Sequence, residues 1–96
     1  MYVGALEIDV LFDDVRSLKQ KRSHIKPILA ELKKYGVAVS EVGEPDRLRR
    51  ALIGISAVSR DVGHVHEVLN TCERHVAGRP ELELLSVRRR ILGPED

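Results

Sequence analysis

The chain has 96 residues, 43% of them apolar and 32% charged, which is too short for two independent cores and too apolar for disorder, so one domain over residues 1–96 is expected. Its longest uncharged stretch, Ala51–Ser59, is under half of the roughly 20 residues that span a bilayer, and no basic-then-apolar leader opens the sequence; membrane insertion and export are not expected, and the cytoplasm is. A lone cysteine, Cys72, excludes an internal disulfide, a two-cysteine redox pair and a thiolate-rich zinc site.

The net charge of +1 hides a segregation. Residues 1–15 hold Glu7, Asp9, Asp13 and Asp14 with no base, whereas residues 16–34 hold seven bases against Glu31 alone. No repeat, low-complexity tract or linker divides the chain. At this size only about 60–68% of the unfolded surface is buried, which leaves room for a second copy to cover more.

Tyr2 to Phe12 alternates, with Leu6, Ile8 and Val10 on one side and Val3, Ala5, Glu7, Asp9 and Leu11 on the other, the pattern of a half-buried strand. Ser17 followed by Gln20 is a capping signal, and Leu18, Ile25, Ile28, Leu29 and Leu32 recur at helical spacing until Gly36, predicting a helix over residues 17–35. Pro27 conflicts with that helix, because an interior proline loses one hydrogen bond; either the helix kinks there or it starts near Ser23. Val37–Gly43 and Leu48–Ser59 read as strands around the turn cluster Glu44-Pro45-Asp46. Asp61 caps a second helix whose apolar stripe is Val62, Val65, Leu69, Cys72 and Val76, ended by Gly78-Arg79-Pro80. Glu81–Leu92 is the last strand. The order βαββαβ, with two short helices, gives an α+β ferredoxin-like sandwich: a four-stranded antiparallel sheet, strand order 4-1-3-2, with both helices on one face and the other face open.

On the first helix, Lys19, Arg22, Lys26 and Lys33 fall between about 40° and 100° around the axis, counted from Leu18. Such a row tracks phosphates, and Arg16 and Lys21 extend it at the helix entry; the bland alternative is a solvated helix face. Arg47, Arg49 and Arg50 are secondary candidates for phosphate or carboxylate contacts. Arg88-Arg89-Arg90 cannot act as one patch, since alternation sends Arg89 to the opposite face; there the expected role is guarding a sheet edge, with some pairing to Glu7 or Asp9. Sequence-specific single-strand readers of this topology stack bases on sheet aromatics. The aromatics here are only Tyr2, Phe12 and Tyr35, so any nucleic acid is expected to be met through backbone charge and shape.

No catalytic pair or cofactor is expected. His64 and His66 diverge by about 200° on a helix and do not share a metal ion. His24 and His75 have no close sequence partner, Cys72 lies on the apolar stripe, and no glycine-rich phosphate loop is present. Glu7 and Asp9 share a strand face about 7 Å apart, but an open sheet surface supplies no enclosing pocket to shift their protonation.

The run Arg16-Ser17-Leu18-Lys19-Gln20-Lys21-Arg22, followed by Ser40-Glu41-Val42-Gly43, Arg50-Ala51 and Gly54, resembles the YlxP-like family of small bacterial proteins, a domain of unknown function, over essentially the whole chain. The resemblance implies a single ferredoxin-like domain. Genes of the family commonly lie beside those of transcription and translation factors, which implies a ribosome or RNA connection and assigns no reaction. The expectation is thus a non-enzymatic accessory factor of translation or ribosome assembly, its partner structured RNA or a ribosomal subunit. The alternative is a homo-oligomeric interaction module using the open face at Val3, Ala5 and Leu11.

Overall fold

A computed structural model describes residues 1–96. It has the expected order: β1 (Tyr2–Phe12), α1 (Leu18–Lys33), β2 (Ala38–Gly43), β3 (Arg50–Ser59), α2 (Val62–Ala77) and β4 (Leu82–Leu92). The antiparallel sheet runs β2-β3-β1-β4, the anticipated order 4-1-3-2 seen from its other end. Every second residue of β1 and of β3 is buried under the helices: Leu6, Ile8, Val10 and Phe12 from one, and Ala51, Ile53, Ile55 and Ala57 from the other. Ile25, Ile28 and Leu32 of α1 and Val65, Leu69, Cys72 and Val76 of α2 close this core. Burial pushes the Cys72 thiol above its ordinary pKa, so it packs as a small hydrophobe.

Both caps form as read. The Ser17 hydroxyl accepts from the Gln20 amide at 3.1 Å, and the Asp61 carboxylate accepts from the Gly63 amide at 2.8 Å. The return arm of the first cap goes one residue further out than a standard box, because the Gln20 side chain accepts from the Arg16 amide at 2.8 Å. α1 is unbroken from Leu18, so the start near Ser23 is not realised. Pro27 is tolerated because it and Ser23 lie on the exposed side, where water meets the Ser23 carbonyl that the proline ring leaves without a donor.

Gly4 allows α2 to seat directly on β1: a Cβ there would lie 2.4 Å from Val65 Cγ1 and 2.8 Å from Leu69 Cδ1. At two places the sheet departs from regular alternation. In β2 the register shifts between Glu41 and Gly43, and the Val42 side chain leans over Gly54, where a Cβ would meet Val42 Cγ1 at 2.7 Å. In β4 the register shifts so that Asp9 faces Ser86 while Val10 faces Leu84, leaving Leu85 as the extra residue of a bulge. Before the bulge, Leu82 and Leu84 face the helices; after it, Val87, Arg89 and Ile91 do.

The one charged side chain in the core is Lys21, 2% exposed, although its place was expected on the solvent-facing basic ridge. Its angular position, about 300° from Leu18, is inside the arc of Ile25, Ile28 and Leu32. The ammonium lies 3.0 Å from Glu41 Oε2 and donates to the Glu44 carbonyl at 2.6 Å. That carbonyl belongs to the turn residue with a left-handed backbone, φ 63°, so the lysine holds both the end of β2 and the entry to the turn.

Two stability predictions follow from these contacts. Gly4→Ala lowers unfolding free energy by about 1–3 kcal/mol, because Val65 and Leu69 must move off their rotamers; urea unfolding measures it. Lys21→Met strands the partly buried Glu41 carboxylate and costs about 2 kcal/mol, discounted from the figure for a fully buried pair. In a double-mutant cycle with Glu41→Gln the two losses are expected to be markedly less than additive.

Candidate nucleic-acid interface

Burial of Lys21 and its neighbours fixes how α1 is turned about its axis. The opposite consequence is that Lys19, Arg22, Lys26 and Lys33 are all exposed, on one flank about 21 Å long at 1.5 Å per residue. None of the four takes part in an ion pair. Arg16 stands beside them at the helix entry, exposed, with a 3.4 Å contact to the equally exposed Asp14, an arrangement that holds little in water. The structure therefore keeps five of the six expected residues on the surface and removes Lys21.

Of the secondary arginines, Arg50 is drawn into an internal pair, whereas Arg47 and Arg49 stay exposed. Arg50 forks onto Asp9 through Nε and Nη2, and Arg49 Nε donates to the Phe12 carbonyl at 2.9 Å. Arg47 contacts Glu44 at 3.4 Å. Arg50 stands opposite Leu11 on the open face, diagonal to Asp9, so the pairing of β1 with β3 brings the two side chains into reach. The arginine triplet also divides as expected. Arg88 approaches Glu7 at 3.7 Å on the open face, while Arg89 crosses to α2, with Nη2 donating to Asn70 Oδ1 at 2.9 Å and Nη1 at 3.1 Å from His66 Nδ1.

The open sheet face is mixed in character, as the side of β1 carrying Val3, Ala5, Glu7, Asp9 and Leu11 implied. Val3 and Ala5 share one end with Val58, but Glu7–Arg88 and Asp9–Arg50 lie between that end and Leu11. A shallow depression of about 320 Å³ crosses the small residues Ala5, Ser40, Gly54 and Ser56 beside Val42, with Glu7 as its one ionisable side chain. A second, of about 460 Å³, lies between Glu7 and Arg88–Arg90. Neither brings a hydroxyl or thiol to an imidazole.

A polar seam between the helices escaped the sequence reading altogether. Glu31 Oε2 accepts from Arg79 at 2.8 Å and lies 2.7 Å from His75 Nε2, whose Nδ1 is bonded to the Tyr35 hydroxyl at 3.2 Å. Arg79 also grips Glu81 at 3.1 Å. Burial disfavours the Glu81 anion, yet its own backbone amide and Arg79 outweigh that and hold its pKa below the usual carboxylate range. The seam ties the C-terminal ends of α1 and α2 to the start of β4. Its members are far apart in sequence, so only the i, i+4 spacing of His75 and Arg79 hinted at it.

Comparison with known proteins places the chain in a family. Residues 3–89 match the family model described as "Protein of unknown function (DUF503)". The chain is 33% identical over 82 residues to the uncharacterised protein YlxP of Bacillus subtilis (strain 168), covering 84% of this chain and 89% of the relative. Among solved structures it is similar to the de novo designed protein Foldit4, with a TM-score of 0.57, 16% identity, and coverage of 97% of this chain and 98% of that one. A second designed protein, described as having a ferredoxin fold, gives a TM-score of 0.54 at 12% identity, covering 95% and 85%. The two designed proteins bear on architecture alone, whereas the family model and the Bacillus relative span nearly the whole domain, both of its motif segments included: the chain belongs to the YlxP-like DUF503 family.

Proposed function

We propose that the protein is a non-enzymatic accessory factor of translation or ribosome assembly, acting in the cytoplasm and contacting structured RNA through the exposed flank of α1. The observation that carries this reading is the row of four unpaired cations, Lys19, Arg22, Lys26 and Lys33, with Arg16 at its head. A solvated helix face usually intersperses acids at i, i+4; this one has none on its flank. Its first turn has no acidic residue, and Lys19 and Arg22 stand near the positive end of the helix dipole, where cations are disfavoured. The isolated fold gains nothing from them there, whereas a phosphate backbone would.

The mode of contact follows from what surrounds the row. Phe12 is buried and stacked on His24 at a 5.7 Å centroid distance, and Tyr35 is edge-on to His75 at 5.8 Å. Phe12 is closed to a base, and Tyr35, exposed but held edge-on by His75, is a single ring and no stacking platform, which favours recognition of backbone charge and helical shape with weak sequence preference. The family's gene neighbourhood points toward ribosomal RNA as the polyanion.

Binding to ribosomal subunits and to a structured ribosomal RNA fragment, followed across a salt series, tests the proposal. Affinity is expected to fall steeply with salt, and Lys19→Glu, Arg22→Glu and Lys26→Glu together should weaken binding and reduce the log–log slope by about 2–3. Absence of binding at low salt, or a slope unchanged by the triple reversal, overturns it.

A further inference from the structure

The sheet has two unequal edges. β2 is six residues long and bulged, the usual form of a protected edge, whereas β4 offers eleven residues and bonds only to β1. Its arginine triplet does not guard it as a block, since Arg88 turns toward Glu7 and Arg89 folds onto α2. Glu83 and Arg90 are exposed and take part in no ion pair.

The bulge sets these two residues in a symmetric relation. Val87 faces Ile8; Glu83 faces Leu11, three positions along β1 in one direction, and Arg90 faces Ala5, three positions in the other. Without the extra residue Leu85, side chains seven apart in sequence would point to opposite faces; with it, both stand on the open face. We propose that β4 pairs antiparallel with β4 of a second copy about a two-fold axis at Val87, so that Glu83 of each chain meets Arg90 of the other and the two sheets join into one of eight strands.

The same register sets Leu82 against Ile91 on the helix side, apolar against apolar, and Ser86 against Arg88, with no like charges opposed. Centring the axis one residue later would oppose Arg88 to itself. Glu83 and Arg90 lie about 20 Å apart within one chain, six positions at roughly 3.4 Å, so they cannot pair internally. This association uses the edge opposite β2 and does not depend on the RNA reading of α1.

Sedimentation velocity of the full chain at high micromolar concentration is expected to give twice the chain mass. Arg90→Glu or Glu83→Arg alone should weaken the dimer at least about tenfold, since each change acts twice across the axis, and the double exchange Glu83→Arg/Arg90→Glu should restore it. Val58→Asp, on the open face away from β4, is expected to leave the dimer intact. A monomer at all concentrations, a dimer indifferent to the single reversals, failure of the double exchange to rescue, or a dimer broken by Val58→Asp, as face-to-face packing requires, overturns the proposal.

Discussion

The buried ammonium of Lys21 is the contact on which the arrangement of this protein turns. An amphipathic helix lying on a sheet can rotate by some tens of degrees and still bury apolar surface, because hydrophobic attraction has no direction. An ion pair does have one. By reaching Glu41 at the end of β2 and the carbonyl of Glu44 in the following turn, Lys21 fixes the rotation of α1 and its height above the sheet. It also joins the two segments by which the family resemblance was recognised, the basic run at Ser17–Arg22 and the element at Glu41–Gly43. The first of these segments has two separable tasks: one lysine anchors the helix inside, and its neighbours, held by that anchor, form the outer row.

The molecule accordingly separates its charges by role. Cations with partners are structural: Arg50 on Asp9, Arg79 on Glu31 and Glu81, and Arg89 across to α2. Of the cations without an ion pair, Lys19, Arg22, Lys26 and Lys33 share the outer flank of α1, while Lys34, Arg49, Arg60, Arg74 and Arg90 are spread over the rest of the surface. A composition with nearly equal acids and bases thus yields a surface that is far from neutral locally, and it is the local field, not the net charge, that a polyanion senses.

Much of this was legible in the sequence. Strand alternation in β1, the caps at Ser17 and Asp61, and the glycine after each helix specify the elements and their order, because each is a local signal. The helical angles that assembled Lys19, Arg22, Lys26 and Lys33 also contain the position of Lys21; charge led to its placement on the surface, when geometry placed it among Ile25, Ile28 and Leu32. The fates of Arg49 and Arg50 depend on which β1 residue lies opposite, and the Glu31–His75–Arg79 seam on how two helix ends meet. The bulge at Leu85 is set by cross-strand register. None of these is encoded within a window of neighbouring residues, so pattern reading stops short of them.

The central position of β1 has a further consequence for how the chain acquires its structure. Val3 is paired on one side with Val58 and on the other with Leu92, so the first strand to be synthesised waits for the last. Helical turns can flicker early, but closure of the sheet draws together residues nearly ninety positions apart, about the full length of the strand programme, and such distant loop closure slows collapse to the native topology. During translation, a nascent chain lacking β4 already has both helices but carries β1 with one rim bare, an open strand edge until the final segment emerges.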